Sequence, residues 1–167
     1  MLQCTVHDRS ITVPFILDQT GFMRVHITGS SMEPTIRRND VIEVRRNEGI
    51  RPGNCYLFLF DGVLLLHRCI SCAKTTGYFM GDSSGSIEAV ENDSVLAEFN
   101  DPHSRLFCRA VTLLNSLSAC PYRNAPLRMP RSINCARINI IRLMHRIDGI
   151  FSSAGRVRTD DSTTGGQ

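Results

Sequence analysis

The strongest constraint on the fold is a pair of apolar segments separated by two turn residues. Residues 55–60 (CYLFLF) and 63–68 (VLLLHR) are joined by Asp-Gly at positions 61–62. Asp-Gly is a preferred dipeptide of two-residue hairpin turns, because both turn positions need a positive φ. The pattern therefore predicts an antiparallel β-hairpin in which Tyr56 lies opposite His67.

Further short segments of apolar and β-branched residues predict additional strands around this hairpin. They are residues 22–28, 40–46, 77–80, 94–99 and 106–114. Glycine, proline, asparagine and aspartate lie between them, as is typical of turns. Many short strands, with little helix before residue 115, indicate a mainly β fold that is either a barrel or a sandwich.

The charges divide the chain of 167 residues into two parts. Residues 1–101 contain 9 basic and 13 acidic side chains, whereas residues 102–167 contain 10 basic and 3 acidic ones. We expect a β-rich domain over residues 1–115 and a basic, proline-interrupted tail over residues 116–167. Within the tail, apolar residues at helical spacing predict an amphipathic helix over about residues 132–147. The Ser-, Thr- and Gly-rich end of the tail is expected to be disordered.

The sequence carries neither the pattern of a membrane span nor that of a metal site. Its most apolar window, residues 55–70, is interrupted by charged residues and falls short of the ~20 apolar residues that a membrane helix needs. Since the first residues do not have the pattern of a secretory signal, we expect a cytoplasmic protein. Cys69 and Cys72 form a Cys-x-x-Cys, but a structural zinc site needs a second pair of ligands. We therefore expect free thiols, no metal and no cofactor.

A hydroxyl-rich turn follows the first predicted strand. Residues 29–35 are Gly-Ser-Ser-Met-Glu-Pro-Thr, and Pro34 restricts the residue before it, which argues against a continuing strand or a long helix. Such a turn can present a serine Oγ together with backbone N–H groups to a carbonyl group. A serine needs an adjacent base to act as a nucleophile, and a histidine can accept its proton at neutral pH. His67, at the polar end of an apolar strand, is a candidate for that base.

Three segments resemble boxes of the signal peptidase I and LexA-like serine peptidases. Residues 29–35 are similar to the nucleophile box, and residues 65–68 (LLHR) to the general-base box of the subtype with His in place of Lys. Residues 78–84 (YFMGDSS) are similar to the Gly-Asp box. The resemblance covers about residues 15–112. It implies the coiled β-sheet barrel of this superfamily and a serine endopeptidase that acts on a peptide or precursor protein.

The resemblance also implies roles for individual residues. Ser31 would be the nucleophile and His67 the general base. Glu88 and Asp82 both qualify as the acid that orients the histidine. Glu88 is preferred, because it lies at the offset from Gly-Asp at which His-type signal peptidases carry this acid. The residues expected to bind substrate or the oxyanion are Gly29, Ser30, Met32 and Pro34.

Departures from the family pattern leave a second hypothesis open. Gly29 stands where signal peptidases often carry a hydroxyl residue, and Ser83 and Ser84 replace two asparagines. The alternative is a catalytically inactive module with the peptidase fold, which binds an extended peptide by strand addition in a peptide-maturation system. Without the membrane anchor of secretory signal peptidases, the chain resembles compact soluble bacterial members. That resemblance implies a role in the maturation of small ribosomal peptides.

The basic tail permits several interpretations. The apolar positions of its predicted helix are Ile133, Ala136, Ile140, Leu143 or Met144, and Ile147. This stripe could pack against the β domain with the arginines in solvent, lie on a membrane surface, or dock on a partner protein. Since few aromatic residues accompany the arginines, we expect no nucleic-acid partner.

Overall fold

The computed structural model describes residues 6–119 and 129–156, which form one seven-stranded sheet and three α-helices. The elements in chain order are α1 (Val6–Thr20), β1 (Phe22–His26), β2 (Val41–Arg46), β3 (Cys55–Phe60), β4 (Val63–Cys72), β5 (Thr76–Met80), β6 (Glu88–Glu91), a short 3₁₀ turn (Asn92–Ser94), β7 (Val95–Phe99), α2 (Arg105–Ala119) and α3 (Arg131–Arg156). None of the helices in these two ranges is long and apolar enough to cross a membrane.

The sheet is antiparallel throughout, with the strand order β1-β2-β7-β3-β4-β5-β6. The predicted mainly β fold is therefore confirmed. β1 and β6 are the two edges of the sheet, and no pairing joins them within the described residues. Within the described residues the sheet therefore does not close into a barrel, and the architecture is consistent with the fold of the superfamily that the sequence resembles.

The predicted hairpin is confirmed down to its register. Tyr56 lies opposite His67, as the turn at residues 61–62 requires. Asp61 has a φ of 47° and Gly62 a φ of 75°, so both adopt the left-handed conformation of a two-residue hairpin turn. This register places His67 in the middle of the sheet, on β4.

β3 is buried on both of its faces, which explains its uninterrupted run of apolar residues. On one face Leu57 packs in a cluster with Val13 and Leu17 of α1, a helix that the sequence pattern did not predict. On the other face the ring of Phe58 lies 4.6 Å from that of Phe79, centroid to centroid. The centre of the sheet is therefore covered on both sides, which makes it a rigid support for the residues of β4.

The expectation of a strand over residues 106–114 is wrong, because this segment lies in α2. The backbone N–H of Phe107 donates to Ser104 Oγ at 3.1 Å, so Ser104 caps the first turn of the helix. Phe107, Val111 and Asn115 are buried at helical spacing. Apolar residues recurring every three or four positions after a serine favour helix over strand.

The C-terminal helix presents the opposite face from the one expected. α3 includes the predicted residues 132–147 and extends to Arg156. Over residues 131–150 its buried residues are Arg137, Ile141 and Asp148. The predicted apolar stripe is exposed except for Met144, which is half-buried against the cluster of Phe107, Val111 and Ile141. The interpretation that this stripe packs against the β domain is therefore wrong.

The predicted boundary at residue 115 falls inside α2. The sequence also predicts an irregular link with Pro121, Pro126 and Pro130 and a disordered end over residues 155–167. Residues 120–128 and 157–167 lie outside the described residues, whereas residues 155–156 belong to α3.

Candidate active site

Three side chains from separate elements form one hydrogen-bonded chain. Ser31 lies in the turn after β1, His67 on β4 and Glu88 at the start of β6. Ser31 Oγ is 2.9 Å from His67 Nε2, and His67 Nδ1 is 2.8 Å from Glu88 Oε2. His67 and Glu88 are only 3% and 6% exposed. The structure thus brings together a hydroxyl, an imidazole and a carboxyl group that are far apart in sequence.

The hydrogen bonds of Glu88 define which imidazole nitrogen carries the proton. An ionised carboxylate can only accept, so His67 Nδ1 must donate to Glu88. In the neutral imidazole, His67 Nε2 then carries no proton and accepts a hydrogen bond from the Ser31 hydroxyl. Ser86 Oγ donates to the other carboxylate oxygen, Glu88 Oε1, at 2.8 Å, and lies 2.7 Å from Ser84 Oγ. Glu88 is therefore held from two sides.

The Gly-Asp box, residues 78–84, is hydrogen-bonded to the turn that carries Ser31. The backbone N–H of Ser83 donates to the Ser31 carbonyl oxygen at 2.8 Å, and Ser83 Oγ donates to the Ser30 carbonyl oxygen at 2.6 Å. A Cβ added at Gly81 would lie 2.5 Å from the Ser31 carbonyl oxygen and 3.1 Å from His67 Nε2. Only glycine permits this approach, so residue 81 is constrained by the site itself.

Asp82 does not contact His67 and instead belongs to a buried ion-pair cluster behind the site. Its carboxylate accepts from Arg68 Nε at 3.0 Å and from an Arg68 terminal nitrogen at 2.8 Å. It also accepts from Thr35 Oγ1 at 2.5 Å, and the same Arg68 nitrogen donates to Asp101 at 3.0 Å. The cluster ties β4 to the turn after Ser31 and to the segment that follows β7.

Burial alone would raise the pKa of Asp82, because desolvation disfavours the carboxylate. The adjacent Arg68 guanidinium and the hydrogen bond from Thr35 outweigh burial and hold the pKa below its ordinary value. The negative charge on Asp82 is thus a structural element of the fold.

A buried arginine from α3 reaches the same loop. Arg137 donates to the carbonyl oxygens of Gly81, at 3.4 Å, and Ser84. Its guanidinium also donates to Asn115 of α2, and to Asn134 Oδ1 at 2.7 Å. Burial lowers the pKa of Arg137 to about 10, although the Asp82 charge opposes the shift. The helical part of the chain therefore holds the backbone of the loop that clasps Ser31.

A groove of about 440 Å³ runs beside Ser31. It is lined by residues 25–29, by Ser31 and Met32, and by Leu57 and residues 63–66. Gly29 lines the groove, and a Cβ built there would contact no other atom within 4 Å. Most of the lining side chains are apolar. The groove can accommodate an extended apolar segment next to the serine.

The other residues expected to bind substrate have different surroundings. Met32 lines the groove but is otherwise buried in the cluster under α1. Ser30 contributes its carbonyl oxygen to the contact with Ser83. Pro34 follows a cis peptide bond and is not among the residues that line the groove.

Several functional contacts were missed by sequence reasoning. Arg68 and Thr35 lie inside the segments singled out from the sequence but had no role assigned to them. Ser86 lies two residues before Glu88, so the alternation of a strand could have placed both side chains on one face. No local sequence pattern indicates the role of Arg137, because an arginine on a basic helix normally faces water.

The cysteine pair at the end of β4 is split between core and surface. Cys69 is fully buried and Cys72 is exposed. Burial raises the pKa of the Cys69 thiol to about 12, so this thiol stays protonated. Over residues 6–119 and 129–156, no three histidine, cysteine or acidic side chains are grouped so that they could hold a metal ion.

Comparison with protein-family models agrees with the fold. Residues 3–80 match the family model described as Peptidase S24-like. The match includes Ser31 and His67 but ends before Glu88 and before α2 and α3. The match covers less than half of the chain, and it supports the resemblance to the LexA-like and signal-peptidase-like serine peptidases. No curated protein matches the chain significantly, and neither does any solved structure.

Proposed function

We propose that the chain is a serine endopeptidase that hydrolyses a peptide bond in a peptide or precursor protein. The observation that supports this function best is the chain of hydrogen bonds from Ser31 through His67 to Glu88. Ser31 would act as the nucleophile, His67 as general base and then general acid, and Glu88 as the group that orients the imidazole. The distances between these groups are those of productive proton transfer.

The reaction proceeds in two stages. Ser31 Oγ attacks the carbonyl carbon of the scissile bond while its proton moves to His67 Nε2. Collapse of the tetrahedral intermediate breaks the C–N bond, and the same proton passes from His67 to the leaving amine. Water then hydrolyses the acyl-enzyme by the same route, with its proton going to His67. Glu88 stabilises the imidazolium that forms in each stage.

Backbone N–H groups of the turn are the proposed donors to the oxyanion. Gly29 lacks the hydroxyl that many signal peptidases use for this purpose, so the turn around Ser31 has to supply the donors from its main chain. Each such donor contributes about 3–4 kcal/mol to the stabilisation of the transition state.

The groove supports an extended peptide as the substrate. Residues 25–29 and 63–66 line two sides of the groove, and a segment in extended conformation fits between them next to Ser31. The apolar lining favours substrates with apolar side chains near the cleaved bond. We place the chain with the signal-peptidase-like processing enzymes, and maturation of a small ribosomal peptide in a bacterium is the corresponding proposed role.

A fluorophosphonate probe tests the proposal without knowledge of the substrate. We expect one adduct on the folded protein, located on Ser31 by peptide mass spectrometry. Ser31→Ala should abolish the adduct without changing the thermal unfolding transition, whereas Ser132→Ala, on the exposed start of α3, should label normally. Failure of the folded protein to label would refute the enzyme and favour the module that binds an extended peptide without cleaving it.

A further inference from the structure

The two C-terminal helices expose the apolar residues that a helix normally buries. On α3 the exposed ones are Ile133, Ile140, Leu143, Ile147 and Ile150, which follow one another at spacings of seven, three, four and three residues and so lie on one side of the helix. The residues of α3 that face the body of the protein are Arg137, Ile141 and Asp148. The apolar stripe of α3 is therefore directed away from the fold.

α2 carries a second stripe of the same kind. Its exposed apolar residues are Leu106, Leu113 and Leu117, while Phe107 and Val111 are buried against Ile141 of α3. With about 100° per residue, these leucines lie about 60–100° round the helix from Ser116, whose hydroxyl donates to the carbonyl oxygen of Ile70 in the sheet. They lie about 80–160° from Phe107 and Val111, which face α3. The leucines therefore face neither the sheet nor α3 directly.

The two stripes lie on the same side of the helix pair. α2 and α3 run antiparallel, because Asn115 contacts Arg137 at one end and Ser104 contacts Asp148 at the other. With about 100° per residue, both stripes are displaced from the line of helix–helix contact. Together they form one apolar surface, which we call the outer face.

Arginines border the outer face on both of its long edges. Continuing round each helix past the apolar stripe, the next charged residues are Arg109 and Arg105 on α2, and Arg146 and Arg142 on α3. The sequence has no acidic residue between Asp101 and Asp148. Asp148 itself is buried and accepts hydrogen bonds from Ser104 and His103. Arg105 and Arg109 line a cavity together with Glu98 and Asp101, whose carboxylates already accept hydrogen bonds from Asn54 and Arg68. Within α2 and α3 themselves, the edges of the outer face therefore carry arginines and no exposed acidic residue.

We propose that the outer face docks on the surface of a membrane that contains anionic phospholipid. An apolar surface between rows of arginines is the arrangement by which amphipathic helices lie in the plane of the bilayer interface. The arginine side chains can extend to the phosphates while the leucines and isoleucines enter the acyl region. Each arginine near an anionic surface adds to the attraction.

The same charges disfavour a second copy of this chain as the occupant. Two outer faces packed together would place rows of arginines opposite each other, and α2 and α3 contribute no exposed carboxylates to pair them. Like charges across an interface oppose association. An anionic lipid surface instead supplies the complementary charge along both edges at once.

Tryptophan fluorescence gives a direct test, because the chain contains no tryptophan. Leu143→Trp introduces a single indole on the outer face, where Leu143 is 57% exposed. Val41→Trp is the matched control, since Val41 is 63% exposed and lies on β2, outside the outer face. Both full-length variants are mixed with phosphatidylcholine vesicles that either contain or lack phosphatidylglycerol. We expect the Leu143→Trp emission to shift to shorter wavelength and to be quenched by brominated acyl chains, only with the anionic vesicles. The Val41→Trp emission should stay unchanged.

Vesicle cosedimentation measures which part of the outer face drives binding. The double variant Leu113→Asp/Leu143→Asp should lower the partition coefficient at least about tenfold, whereas Val41→Asp should not. Arg142→Gln and Arg146→Gln should each lower the partition coefficient about fivefold. High salt should also lower the partition coefficient, because it screens the attraction between the arginines and the lipid phosphates. The arginine variants keep the test valid if the double variant does not fold, because they leave the apolar surface intact.

Four results would overturn the proposal. The first is a folded protein that does not bind anionic vesicles even at low salt. The second is equal binding to vesicles with and without phosphatidylglycerol. The third is a dimeric protein whose Leu143→Trp emission is already shifted to shorter wavelength without vesicles. That result would show that the outer face binds a second copy of the chain. The fourth is salt-independent binding that Leu113→Asp/Leu143→Asp does not weaken.

Discussion

Replacing Glu88 by glutamine should reverse the tautomer of His67 with almost no change in shape. Ser86 Oγ donates to Glu88 Oε1 and keeps this hydrogen bond when the amide oxygen of the new side chain occupies that position. The amide nitrogen then faces His67 Nδ1 at the former position of Oε2, from which it can only donate. Nδ1 must accept, and the ring proton moves to Nε2. In that tautomer His67 cannot take the proton of Ser31.

The expected loss is large because the site is buried. His67 and Glu88 are 3% and 6% exposed, so water cannot easily substitute for the missing carboxylate. The variant loses both the correct tautomer and the negative charge that stabilises the imidazolium. Equivalent substitutions in serine peptidase triads lower the rate about 10³- to 10⁴-fold, which corresponds to about 4–5.5 kcal/mol of activation free energy.

The second-order rate constant for fluorophosphonate labelling of Ser31, followed by intact mass, measures this effect. Glu91→Gln is the matched control, because Glu91 lies on the same strand and is exposed; it should label at the rate of the unmodified chain. Adding Ser86→Ala to Glu88→Gln frees the amide to rotate and should recover part of the rate. A Glu88→Gln protein that labels within about tenfold of the unmodified chain would refute the orienting role of the carboxylate.

Two further predictions concern the loop that holds Ser31. Gly81→Ala should lower the free energy of unfolding by about 1–3 kcal/mol and slow the labelling of Ser31, because its Cβ would lie 2.5 Å from the Ser31 carbonyl oxygen. Gly149→Ala, which meets no atom within 4 Å in α3, should not destabilise the protein in the same urea unfolding experiment. Asp82→Asn should cost about 3 kcal/mol, since it removes one partner of the buried Arg68. The folded-state pKa of Asp82 lies below its ordinary value, so the stability that the ionised group contributes is present above about pH 4 and is lost as the pH falls further. As the pH is lowered through this range, the urea midpoint should fall for the unmodified chain and fall less for Asp82→Asn. Equal pH dependence of the two midpoints would contradict the role of Asp82, and a Gly81→Ala protein as stable as the unmodified chain would contradict the steric role of Gly81.

The local patterns of the chain predicted those features that depend on neighbouring residues. Asp-Gly between apolar segments specified the hairpin, its turn and its register, and hence the position of His67. The resemblance of the motifs selected Ser31, and preferred Glu88 over Asp82. In the structure Glu88 is the acid within hydrogen-bond distance of the imidazole. Their catalytic roles stay predictions that the labelling experiments test.

Features that depend on contacts between distant segments were not predictable in this way. The periodicity of α3 correctly indicated a helix, but it could not tell which face packs on the body of the protein. Arg137 is buried because it finds carbonyl oxygens of the active-site loop and a side-chain amide of α2, none of which lies near it in sequence. These partners compensate the cost of burying a charge, and without them the arginine would face solvent.

By itself, the sequence determined the strands of the central hairpin, the turn that presents Ser31 and the candidate base, because each depends on short-range pattern and turn chemistry. Only the tertiary structure decided that Glu88 meets His67, that Asp82 pairs with Arg68, and that the apolar stripes of α2 and α3 face outward. Those outcomes depend on which polar groups find partners when distant segments pack. Hydrogen bonds and ion pairs made inside the fold outweighed the usual preference of apolar residues for the interior.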